Sequence, residues 1–122
     1  MRAVIVFAHG SRDPLWRRPI ETVAQGIAQR EPGVLTRCAY LELCDPLLPA
    51  AAAELVGLGA TEIRVLPLFF GMGKHAREDL PALMDALRRD HPGVRFLLLP
   101  TAGEHPKLLA LLADMALEAN TP

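Results

Sequence analysis

The sequence predicts an α/β fold: a four-stranded parallel sheet between two layers of helices, in one domain spanning residues 1–122. Three observations lead there. Short apolar runs alternate with longer amphipathic ones in a βαβαβαβα order. The apolar runs lack polar alternation, as strands covered on both faces require. Parallel strands joined by helices must also cross over right-handedly, which puts helices on both faces of an open sheet.

Each element has its own signal. Ala3-Val4-Ile5-Val6-Phe7-Ala8 reads as the first strand. Pro19 to Arg30 reads as a helix, with proline at the tolerated first position and Ile20, Val23 and Ile27 on one face; Pro32-Gly33 ends it. A second strand is expected over about Leu35 to Leu43. Asp45-Pro46 opens an alanine-rich helix that runs to Leu58 and closes at Gly59. Ile63 to Phe70 is the third strand. After Gly71-Met72-Gly73 a helix is expected from Glu78 or Pro81 to Arg89. Val94 to Leu99 forms the fourth strand and Pro106 to Glu118 the last helix. Arg30-Glu31-Pro32-Gly33-Val34 and Asp90-His91-Pro92-Gly93-Val94 are one helix-to-strand turn chemistry used twice.

Composition narrows the function. Hydrophobic residues at 51% with charged ones at 22% suffice for a real core, and only 5% are aromatic, which suits helices on a sheet. The net charge of −1 argues against nucleic-acid binding, which needs a broad basic surface. Cys38 and Cys44 lack CxxC spacing and are expected to be reduced and partly buried. The first apolar run is too short to span a bilayer, so a soluble, cytoplasmic protein is expected. P-loop, GxGxxG, GxSxG and HExxH patterns are absent, so no nucleotide cofactor is expected and the hydrolase and zinc-protease readings lose their basis.

In an open parallel sheet, ligands bind beyond the carboxyl ends of the strands. His9 follows strand one, Glu42 lies near the end of strand two, and His75 sits in the glycine-flanked loop after strand three. Two imidazoles and a carboxylate form an open, borderline donor set that suits Co²⁺, Fe²⁺, Ni²⁺ or Zn²⁺ and leaves positions free. An imidazole near neutral pH can also accept protons. Taken singly, each residue has a plainer role: His9 and His75 as loop hydrogen-bonders, Glu42 as a capping or surface carboxylate. Their shared edge favours the ligand role. His91 reads as a turn residue on the opposite edge, and His105 fits the start of the last helix as well as it fits a site. Ser11, Arg12, Lys74 and Arg77 give the rim a local positive fringe suited to a small polycarboxylate.

These residues also form familiar motifs. His9-Gly10-Ser11-Arg12-Asp13-Pro14 resembles the opening motif of the short CbiX-type class II chelatases. Ala39-Tyr40-Leu41-Glu42-Leu43 with Pro46 resembles their second-strand signature. Pro67-Leu68-Phe69-Phe70-Gly71, Gly73-Lys74-His75 and Asp79-Leu80-Pro81 resemble the third, and Glu104-His105-Pro106 is similar to a weaker feature near the last helix. The resemblance runs in order along nearly the whole chain. It implies a chelatase-like (flavodoxin-like) domain that inserts Co²⁺, Fe²⁺ or Ni²⁺ into sirohydrochlorin on the way to cobalamin or siroheme. It assigns metal binding and proton acceptance to His9 and His75, with Glu42 as an acidic helper at the metal. The tetrapyrrole carboxylates would meet Ser11, Arg12 and Lys74. Longer relatives hold two such domains around one cleft, so the resemblance implies a homodimer that recreates it. Two other readings share these residues: a non-catalytic tetrapyrrole or metal carrier, and an interaction module whose histidines are loop residues.

Overall fold

The computed structural model describes residues 1–71 and 73–118, without the side chains of His75 and Ala76. Strands β1 (Arg2–Ala8), β2 (Leu35–Tyr40), β3 (Glu62–Pro67) and β4 (Arg95–Leu98) form one sheet in the order β2-β1-β3-β4. All three pairings are parallel, with Ala3 opposite both Leu35 and Ile63. Helices α1 (Arg18–Arg30), α2 (Leu48–Gly57) and α3 (Lys74–Asp90) connect the strands, and α4 (Pro106–Leu117) follows β4. The expected parallel α/β architecture is therefore what forms.

Alternate side chains of the strands feed opposite sides of the sheet. Ala3, Ile5, Phe7, Ile63 and Val65 pack against Leu48, Ala51, Ala52 and Leu55 of α2 and Leu80, Met84 and Leu87 of α3. On the other side Val6 and Ala8 meet Ile20, Ala24 and Ile27 of α1. That stripe follows an i, i+4, i+7 path, so Val23, expected on the same face, turns to solvent. Helix α4 lies over the α1 side but buries none of its residues. It leaves an apolar groove of about 800 Å³ walled by Leu66, Leu68, Leu99, Leu108 and Leu111. No helix among the described residues is long and apolar enough to cross a membrane.

Four boundaries differ by more than a residue from the sequence reading. β3 ends at Pro67, short of Phe70, once its last backbone pairing with β1 is made at Phe7. β2 ends at Tyr40, short of Leu43, because the chain folds back through a cis Asp45–Pro46 peptide and the Tyr40 N–H donates to Pro46 O at 2.9 Å. α2 accordingly starts at Leu48, not at Asp45. α3 starts at Lys74 and carries Pro81 inside it. Proline there forfeits one backbone hydrogen bond, and burial of Leu80, Met84 and Leu87 keeps the helix continuous around it. His75 therefore lies in the first turn of a helix and not in a loop.

The topology fixes where a ligand can sit. The chain leaves β1 toward β2 but leaves β3 toward β4, so the switch point falls between β1 and β3, at their carboxyl ends.

The layered core predicts contrasting losses. Leu55→Ala removes a side chain with no exposed surface and should cost about 2–5 kcal/mol in urea unfolding. Leu58→Ala, three residues on and half exposed, should stay within about 0.5 kcal/mol.

Candidate metal centre

His9 is the first residue past β1 and Glu42 the second past β2. The two segments continue to pair after the regular ladder ends: Leu41 N–H donates to Ala8 O at 3.0 Å, and Glu42 N–H to His9 O at 3.1 Å. This close approach needs Gly10. Its φ is +106°, and a Cβ there would fall 1.8 Å from the Glu42 carbonyl oxygen. The glycine thus locks the loop bearing the imidazole to the loop bearing the carboxylate.

The result is a contact between side chains 33 residues apart: His9 Nε2 lies 3.2 Å from Glu42 Oε1. Both stay accessible, at 52% and 58% exposure. His9 Nδ1 sits 3.4 Å from Gly10 O, a weak tether that leaves Nε2 as the nitrogen facing the carboxylate. Without a cation, a proton on Nε2 can bridge the two bases. With one, the spacing suits shared coordination: two donors at about 2.1 Å from a metal, about 100° apart, stand about 3.2 Å from each other. The remaining coordination positions open to solvent.

The other expected residues spread around this pair. Ser11 Oγ accepts from Asp13 N–H at 3.1 Å, and Asp13 Oδ1 accepts from Leu15 N–H at 2.9 Å, opening a 3₁₀ turn over Pro14–Arg17. Ser11 is thus engaged in shaping the loop. Arg12 and Lys74 are exposed, Lys74 as the first residue of α3. The backbone of His75 follows Lys74 in the first turn of α3, while its side chain lies outside the described residues. No group of three metal-binding side chains occurs among the described residues. His105 caps α4 by accepting from Lys107 N–H at 3.1 Å, the structural one of its two roles.

The cysteines remain free thiols, each partly buried. Burial pushes the Cys38 thiol above its ordinary pKa, and Glu21 adds to the shift. Burial likewise pushes Tyr40 up to about 12, aided by Cys38, Cys44 and Glu21 against Arg17. Neither group is an anionic metal donor at neutral pH.

Sequence reasoning missed a collar of exposed apolar residues in the loops past the carboxyl ends of the strands. Leu15 and Trp16 after β1, Leu43 and Leu47 after β2, and Phe70 after β3 are all exposed. Phe70 is held outward from behind: Gly103 N–H donates to Phe69 O at 2.8 Å, and a Cβ at Gly103 would fall 1.8 Å from Phe70 O. The available signal was the presence of large apolar residues in loops otherwise polar enough to be solvated.

An open parallel α/β domain with an imidazole–carboxylate pair at the carboxyl edge of its sheet is a metal-handling or ligand-binding domain of the doubly wound class. The CbiX family model matches residues 3–119, and the chain belongs to that family. A CbiX protein from Marinobacter aquaeolei VT8 superposes with a TM-score of 0.83 at 31% identity, covering 95% of this chain and 94% of that one. The sirohydrochlorin cobaltochelatase of Methanosarcina acetivorans is 31% identical over 81 residues, which are 66% of this chain and 62% of that protein. The chain thus spans about three fifths of the length of the first curated relatives it matches. The sirohydrochlorin chelatase SirB of Bacillus subtilis subspecies spizizenii, solved in complex with cobalt, shares the fold with a TM-score of 0.78 at 22% identity. In that pair 98% of this chain covers 51% of the other.

The Gly10 contact gives a direct test of what holds the pair together. Gly10→Ala should destabilise the protein by about 2 kcal/mol or more, since the strained φ alone is worth about 1–3 kcal/mol. Thermal unfolding measures the loss, and wild-type stability in that variant would contradict the close approach.

Proposed function

We propose that the chain is a metal chelatase that inserts a divalent transition metal, Co²⁺ or else Fe²⁺ or Ni²⁺, into sirohydrochlorin. The observation that carries this reading is the 3.2 Å contact of His9 Nε2 with Glu42 Oε1 on an open edge. Family membership and the cobaltochelatase relative supply the substrate class.

In this reading the metal is a substrate and arrives on His9 and Glu42, with His75 as the third donor from α3. Borderline nitrogen and oxygen donors bind such a metal without closing its shell, so it can be passed on. The tetrapyrrole approaches from the open side, its carboxylates met by Arg12, Lys74 and the hydroxyl of Ser11. Insertion displaces two pyrrole N–H protons. The imidazole released from the metal at His9 accepts one, and His75 serves the other. Holding metal and ring face to face replaces an encounter of three bodies by a step within one complex. Glu42, in contact with His9, holds that imidazole in place. We place the reaction in the cytoplasm.

We further infer a homodimer. Two features support it. This chain matches about half of SirB in fold, and in this reading a second copy would stand where the other half does. Helix α4 also offers exposed Leu111 and Met115, one turn apart on the same face, with Leu111 walling an unfilled apolar groove. Apolar surface of that extent is disfavoured in a monomer. Arg30 of α1 lines the groove, and α4 carries Lys107 near its start and Asp114 in its second half. A twofold-related α4 would bring opposite charges together.

Two measurements test the reading. His9→Ala should lower the rate of cobalt insertion, followed by the visible spectrum of sirohydrochlorin, by about a hundredfold or more. Its half-exposed side chain predicts a stability change within about 0.5 kcal/mol. Binding of metal and ring without insertion above the spontaneous rate would make the wild-type protein a carrier instead. Leu111→Glu should shift sedimentation from dimer to monomer, and a wild-type monomer at micromolar concentration would refute the assembly.

A further inference from the structure

Leu43 stands apart from the rest of the apolar collar. Its φ is +70°, and it is the one non-glycine with positive φ among the described residues. The left-handed region costs an L-residue about 1–2 kcal/mol. Asparagine and aspartate offset that cost with a local side-chain hydrogen bond, and leucine has none to offer. Burial does not compensate either, because the side chain is 48% exposed. At Gly10 the same left-handed backbone is met by a glycine. At position 43 the chain instead holds a large apolar group in water on a strained backbone, directly after Glu42. Strain that the fold does not recover points to function.

Resting on the chelatase reading above, we propose that Leu43 is the apolar seat of the tetrapyrrole: its side chain packs beneath the face of the macrocycle whose centre takes the metal from His9 and Glu42. The distances permit the overlap. A metal bonded to the Glu42 carboxylate lies about 2.0–2.2 Å from it. The ring nitrogens that receive it come within a further bond of comparable length. Adjacent Cα atoms are about 3.8 Å apart, so a flat ring of four pyrroles centred there is wide enough to reach residue 43. A leucine against the ring face buries apolar area on both partners and needs no polar group satisfied. Trp16 reports on the same locality. Its ring centroid lies 6.3 Å from that of Tyr40, and Tyr40 Cβ would be 3.4 Å from a Cβ on Gly10. It is the only tryptophan in the chain.

The test compares wild type, Leu43→Asn and Leu43→Met as full-length proteins. Asparagine tolerates the left-handed backbone and removes the apolar surface, whereas methionine keeps the surface and the strain. L43N should melt at or above the wild-type temperature. Its KM for sirohydrochlorin should rise about tenfold, as loss of a buried leucine contact implies. Its kcat should stay within about twofold, because the contact serves binding alone. Metal-free sirohydrochlorin should quench Trp16, with the half-quenching concentration rising in L43N in step with KM. Co²⁺ affinity, measured with the metal alone, should not move. L43M should retain wild-type KM. Wild-type KM and quenching in L43N, while the wild-type enzyme inserts metal, would remove Leu43 from the site and leave the chelatase reading standing. A marked fall in melting temperature would assign the residue to the fold. Loss of self-association at unchanged quenching would assign it to an interface between copies. A wild-type protein that neither quenches nor metallates overturns both readings.

Discussion

The site depends on one backbone contact, the approach of Gly10 to the carbonyl of Glu42. Beyond β1 and β2 the strands have formally ended, yet the two segments still pair through Ala8, His9, Leu41 and Glu42. Any side chain at position 10 would force them apart. Because none is there, an imidazole and a carboxylate distant in sequence come within 3.2 Å without either being buried. Both groups keep their water and lose only positional freedom. Pre-ordering donors while leaving their solvation largely intact suits a centre that must bind a metal and release it.

The sheet beneath is the rigid partner in this arrangement. β1 is central, hydrogen-bonded on both sides, and its inward side chains are buried. The last residue before His9 is therefore among the most constrained in the molecule. The loops at the carboxyl edge inherit that precision from the strands and add chemistry that the core cannot tolerate. The collar of Leu15, Trp16, Leu43, Leu47 and Phe70 adds an apolar surface to the polar pair. The left-handed backbone at Leu43 places part of that surface at a local cost to stability.

The opposite flank of the domain is less settled. On the side of α2 and α3 the sheet is covered by Leu48, Leu55, Leu80 and Met84 at full burial. On the side of α1 and α4 only α1 closes down, and α4 stands off a groove of about 800 Å³.

By itself the sequence determined the element order, the parallel sheet and the edge on which the candidate residues lie. Runs such as Ala3–Ala8 carry their burial in their composition, and proline and glycine mark most turns, so local chemistry suffices there. It failed where a local signal was overruled from a distance. Pro81 reads as a helix start, yet packing of Leu80, Met84 and Leu87 carries α3 back to Lys74 and moves His75 from a loop into a helix. Leu41–Leu43 read as strand, yet pairing with His9 and the return of Pro46 to Tyr40 turn the chain away. Only the tertiary structure decided that His9 meets Glu42, and that Leu43 is held in a left-handed conformation. Those outcomes arise from contacts between segments that no sequence window contains, and a backbone conformation imposed from outside a segment leaves no mark in its composition.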